Sequence, residues 1–119
     1  MVYCATSPAL AALETFVHLM PQQRVSGKMP KMWLIELDVS DHAVRQDDGL
    51  PDQHLEPRLV GDHFLERAMA VGMKVPSLII AQDTNVLLNP VHLQFAETVK
   101  VIATYDFAYD HRLVAAVQS

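Results

Sequence analysis

Glu14, Ser77 and Tyr3 are the side chains of this sequence that stand out chemically. Glu14 falls at the edge of an apolar helical stripe, where a carboxylate is half-desolvated, the condition a working acid or base requires. The competing interpretation is a surface carboxylate paired with His18, one helical turn further on. Ser77 interrupts the run Val75-Pro76-Ser77-Leu78-Ile79-Ile80, setting a small hydroxyl where a packed strand favours apolar side chains. The ordinary fate of such a hydroxyl is a hydrogen bond to backbone.

Other chemistries fail on spacing. Six histidines stand at positions 18, 42, 54, 63, 92 and 111, but none forms an H-x-H or H-E-x-x-H pair, and there is a single cysteine. The sequence therefore predicts no metal site. Val75-Pro76-Ser77-Leu78 lacks the glycines of a nucleophile elbow, and no Gly-rich phosphate loop is present. Cys4 sits in the short apolar run Val2-Tyr3-Cys4-Ala5, where an inert, buried thiol is the usual case.

The elements that must carry these residues follow from periodicity. Val2 to Ala5 reads as a strand. Thr6 or Ser7 caps a helix with Pro8 in its first turn, running to about Met20 and stopping before Pro21. Its stripe is Ala9, Leu10, Leu13, Phe16, Val17 and Met20. After a polar connector, Lys31 to Val39 alternates as a strand, with Trp33, Ile35, Leu37 and Val39 on the apolar face. Ser40 to Glu56 is the most solvated stretch and reads as a flap, a partner-facing segment or simple disorder. Arg58 to about Ala70 has a helical pattern that Gly72 would close. A buried strand through Leu78-Ile79-Ile80 then breaks at an Asp83-to-Asn85 turn, returns through Val86-Leu87-Leu88 and breaks again at Asn89-Pro90. His92 to Thr98 reads as a short helix. Val99 to Tyr109 is a strand with Val99, Val101, Ala103, Tyr105, Phe107 and Tyr109 facing one way. Helices mixed with non-consecutive strands indicate an α+β fold in one domain spanning residues 1–119.

The totals narrow the function classes. Half of the 119 residues are hydrophobic and 19% are charged, a globular composition. No apolar run approaches the roughly 18 residues of a membrane helix, and the first residues lack the Lys or Arg of a signal peptide. One cysteine fits a reducing cytoplasm. The net charge is −5 with a pI near 5.5 and no basic cluster, which argues against direct nucleic-acid binding.

Three segments carry a resemblance: V-Y-C-A-T-S-P-A-L-A-A-L-E-T-F-V-H (2–18), V-P-S-L-I-I-A-Q-D-T-N-V-L-L-N-P-V-H (75–92) and F-A-Y-D-H-R-L (107–113). In that order they resemble the RES-domain family, the toxins of RES–Xre type II toxin–antitoxin pairs. L-V-G-D-H-F-L (59–65) agrees more weakly. The resemblance implies a compact ADP-ribosyltransferase-like fold and NAD as substrate. It further implies a glycohydrolase, a phosphorylase or a protein ADP-ribosyltransferase, leaving the three open. The family's Glu falls on Glu14, its Ser on Ser77 and an active-site Tyr on Tyr3. These residues imply that Glu14 stabilises positive charge on the ribose, that Ser77 holds the nicotinamide ribose or amide, and that Tyr3 packs on a ring. Asn85, Asn89 and His92 match the pattern too. Asn85 is a candidate ligand contact, though all three read first as turn and packing residues. The implied partner is an Xre-type helix-turn-helix antitoxin, in a complex or alongside homo-oligomers.

One departure stands against this. The family's Arg lies upstream of its Tyr, whereas this chain begins Met1-Val2-Tyr3, and Arg24, Arg45, Arg58, Arg67 and Arg112 do not match that position. The expectation is therefore double: an NAD-consuming toxin, or an impaired RES-like domain that only binds its antitoxin.

Overall fold

A computed structural model describes residues 1–26, 29–45 and 70–118. The expected helix between Arg58 and Ala70, and the larger part of the Ser40–Glu56 segment, lie outside the described residues. Within them the fold is α+β, with two small sheets and three helices. In chain order these are β1 (Val2–Ala5), α1 (Pro8–Ser26), β2 (Met32–Val39), β3 (Val44–Arg45), β4 (Gly72–Pro76), β5 (Thr84–Leu88), α2 (Phe95–Thr98), β6 (Val99–Phe107) and α3 (His111–Gln118), with a 3-10 turn at Asp41–Ala43.

The first sheet has the order β1-β5-β4-β3. β5 is antiparallel to both β1 and β4, while β3 joins β4 in parallel. The position of β5 between two partners explains why Leu87 and Leu88 are the most buried apolar side chains, at 1% and 0% exposure. Leu87 packs with Ala70, Met73 and Val75 in the core. Strand alternation puts Asn85 on the same face of β5 as Leu87, and the register sets Ala5 and Val75 on either side of it. An amide therefore faces the core.

α1 starts where the capping chemistry requires. The Leu10 N–H donates to Ser7 Oγ at 3.1 Å, with Pro8 occupying the first turn. The helix does not stop before Pro21 as expected; it continues to Ser26 with that proline inside. Proline's own φ is helical, so the chain can pass through it at the loss of one backbone donor. The expected stripe is only partly covered: Leu10 is buried, Phe16 and Met20 are half-buried, and Leu13 and Val17 are exposed.

Three further expectations are corrected. The strand lies at Gly72–Pro76 rather than at Leu78–Ile80, and Leu78 and Ile79 are exposed. Gly72 is not a helix cap but a ladder residue paired with Val44 and Leu88. The register of β2 against β6 shifts between Glu36 and Leu37, passing over Ile102. Before the shift Met32 and Leu34 are the half-buried positions of β2; after it they are Leu37 and Val39. Trp33 and Ile35, expected on a wholly apolar inner face, are more than half exposed. A bulge adds local twist, so the covered side of this two-stranded ribbon changes along its length.

Candidate functional site

Ser77 follows β4 directly, and its hydroxyl explains why the strand ends there. Ser77 Oγ accepts from the backbone N–H groups of Ile79 and Ile80, at 3.1 and 3.2 Å. Ser77 N–H donates to the Asp83 carbonyl and Asp83 N–H to that of Ile80, closing a tight loop before β5. Side chain and backbone together give these polar groups partners outside the ladder, which ends the run of apolar strand residues.

The same hydroxyl donates to Glu14 Oε2 at 3.0 Å. Asn85 Nδ2 donates to the other carboxylate oxygen, Oε1, at 2.8 Å and to the Cys4 carbonyl at 3.0 Å. Tyr3 closes the set, its hydroxyl donating to Asn85 Oδ1 at 3.1 Å. Tyr3, Glu14, Ser77 and Asn85 thus form one hydrogen-bonded cluster, built from β1, α1, the loop after β4, and β5. Glu14 is held by Ser77 and Asn85 rather than paired with His18. Neighbours in the register make this reachable: Tyr3 sits opposite Leu87, so Asn85 is its diagonal neighbour on one face.

The bonding capacities assign different roles to the four side chains. A serine hydroxyl has one donor and two acceptor sites, and all three are used at Ser77. Asn85 is fully buried, with both amide hydrogens committed and its oxygen occupied by Tyr3. The Ser77 hydroxyl has no free bonding site in this arrangement, while Asn85 Oδ1 keeps one lone pair inside a fully buried side chain. Both side chains hold Glu14 in place. Glu14 itself is only half-buried and uses two of its roughly four lone-pair directions, so it can still accept from a bound molecule. Tyr3 is 44% exposed, with its hydroxyl on the amide that holds the carboxylate. Burial raises its phenol above the usual value of 10.0, and the Glu14 charge raises it further, keeping it a neutral donor.

The other singled-out residues have local tasks. Asn89 is 2% exposed; its side-chain oxygen accepts from Val91 N–H, and its own N–H donates to the Val71 carbonyl. His92 Nδ1 accepts from Gln94 N–H at the entry to α2. Cys4 is half-buried, with its thiol pushed up by burial. Among the described residues no group of three or more His, Cys, Asp or Glu is placed to hold a metal ion. Arg112 is fixed to the Asp110 carboxylate through two side-chain bonds, and neither Arg45 nor Arg112 bonds to the cluster. A cleft of about 580 Å3 opens elsewhere, between Lys31, Met32, Phe107 and Val114.

The sequence profile of the RES domain matches residues 1–110, which contain every member of the cluster. The chain belongs to the RES-domain family. A protein named Toxin Res from Photorhabdus laumondii subsp. laumondii is 30% identical over 123 residues, covering 97% of this chain and 76% of its own length. A Toxin Res from Pseudomonas putida is 35% identical, covering 95% of this chain and 79% of its own length. A Prs ADP-ribosylating toxin from Sphingobium sp. is 31% identical, with 96% of this RES domain and 74% of its own length aligned. Sequence reasoning named the four cluster residues of this RES chain but missed the Cys4 carbonyl, which anchors Asn85 through its backbone and has no side-chain signal.

Proposed function

We propose that this RES domain is a toxin that breaks the nicotinamide–ribose bond of NAD, with Glu14 as the reacting carboxylate. The observation that carries the reading is the Glu14 side chain held on both oxygens by Ser77 and Asn85, beside the exposed Tyr3 ring. In the step proposed, the C1′–N bond breaks and its electron pair leaves with nicotinamide. The ribose carbon is left with oxocarbenium character. A carboxylate already fixed in place at the ribose hydroxyls stabilises that charge without reorganising, an effect worth about 3–4 kcal/mol. Water, phosphate or a protein side chain then adds to the carbon. Hydrolysis, phosphorolysis and ADP-ribosyl transfer share the first step, and Glu14 serves each of them. The likeness to a Prs ADP-ribosylating toxin supports the transfer branch. A helix-turn-helix antitoxin of the Xre type is the partner that would silence the toxin.

The test is expression without antitoxin. Growth should stop and cellular NAD should fall, and Glu14→Ala should abolish both effects. Normal growth and NAD with soluble, folded protein would sink the reading.

A second reading, an impaired domain that only captures its antitoxin, is favoured by one observation: neither Arg45 nor Arg112 bonds to the cluster as a pyrophosphate clamp there would. Calorimetric titration with NAD separates the two. Heat of binding supports the enzyme; no heat with retained antitoxin capture supports the binder.

A further inference from the structure

α1 has two sides with different jobs. At about 100° per residue, Ala12 and Phe16 lie one above the other, while Glu14 points to nearly the opposite side. Glu14 faces the first sheet, where Ser77 and Asn85 hold it. On the reverse side stands Tyr109, just beyond the end of β6. Its hydroxyl donates to the Ala12 carbonyl. Its ring meets Phe16 edge-on at 5.1 Å and Phe107 at 4.9 Å. The hydroxyl and the ring thus hold two residues one turn apart, Ala12 and Phe16, on either side of Glu14 in the sequence.

We propose that Tyr109 is a positioning residue for Glu14: by gripping Ala12 and Phe16 it fixes the rotation of α1, and so the approach of the carboxylate to Ser77 and Asn85. The proposal rests on the reading of Glu14 as the reacting group. Its physical basis is leverage. Glu14 is joined to the first sheet only at its tip, so a small rotation of the helix moves the tip first. Tyr109 ties the turn to the second sheet from behind, through a hydroxyl and two ring contacts. An ordinary packing tyrosine would supply the ring contacts without needing the hydroxyl.

Tyr109→Phe keeps the ring and removes the donor. Two readouts on the purified full chain decide the matter: NAD consumption, and the NMR signals of the Asn85 side-chain amide and the Glu14 carboxyl. The expected result is a kcat lowered roughly tenfold or more, as misplacement of a catalytic group produces, with KM for NAD within about twofold. The Asn85 and Glu14 signals should move together. Tyr105→Phe, which removes a surface bond to Glu36, should change neither readout. Unmoved signals in folded Tyr109→Phe protein overturn the proposal whatever happens to kcat, and so does an unchanged kcat. If the wild-type chain consumes no NAD, the function reading fails, and the NMR signals alone still decide whether Tyr109 sets the Glu14 position. Should Tyr109→Phe not fold, Phe16→Leu loosens the other side of the same grip and should shift the Asn85 amide in the same direction; no shift overturns the proposal.

Discussion

Among the described residues, Glu14 is held by two neutral donors, Ser77 and Asn85, and not by a cation. Such donors orient the carboxylate without cancelling its charge, as the proposed stabilisation of a cationic sugar would require. Ser77 is the more exposed to mutation because one oxygen serves three bonds. Ser77→Ala should cost about 1–3 kcal/mol of stability, from the two loop N–H groups left without a partner, and should lower kcat as well. Urea unfolding beside single-turnover kinetics checks this; full stability in the variant would show that water replaces the hydroxyl. The tyrosines set an alkaline limit. Tyr3 and Tyr109 both have phenols raised from 10.0 in the folded chain. Between that value and the folded one, the native state keeps a proton the unfolded chain gives up, so their contribution is complete below pH 10.0 and is lost as pH rises through the folded values. Denaturation midpoints should therefore fall above pH 10.0, and the fall should be shallower in Tyr3→Phe. A midpoint flat across that range would contradict it.

At the level of elements, β5 does the most. It carries Asn85 to the cluster and Leu87 to the core from one face, while its neighbours β1 and β4 bring Tyr3 and the Ser77 loop to either side. The sheet depends on a close approach at Gly72. A Cβ there would stand 3.0 Å from Leu88 Cδ2 and 3.2 Å from Val44 Cγ2, and Leu88 is fully buried. Gly72→Ala should destabilise by about 1–3 kcal/mol, the usual cost of overpacking, even though alanine suits a strand better. A variant as stable as the parent in urea would mean that Leu88 and Val44 give way freely.

At the scale of the whole molecule, the described residues form two sheets with α1 joined to both, by Glu14 to the first and under Tyr109 to the second. The second sheet leaves Trp33 and Ile35 at 54% and 57% exposure and Val101 at 65%. Trp33 is the sole tryptophan, so its fluorescence reports on this surface alone. Emission should be strongly quenched by acrylamide in the native monomer, almost as in urea. Protection from quenching in dilute protein would show that the ribbon is covered in solution.

The sequence by itself determined the class of fold, the first strand and the start of α1, which rest on short-range rules: alternation, helical spacing and a Thr6 or Ser7 cap before Pro8. Its periodicity and spacing marked Glu14 and Ser77, while the resemblance to the RES-domain family added Tyr3 and, as a candidate contact, Asn85. Tertiary structure decided what those residues do to one another. Tyr3 and Asn85 are 82 positions apart, and Glu14 and Ser77 are 63, so no local pattern can show that they share hydrogen bonds. The bulge in the second sheet, the helix passing Pro21 and the strand ended at Ser77 were decided there too. In each, periodicity assumes an unbroken element, while the outcome depends on which backbone groups find partners elsewhere in the fold.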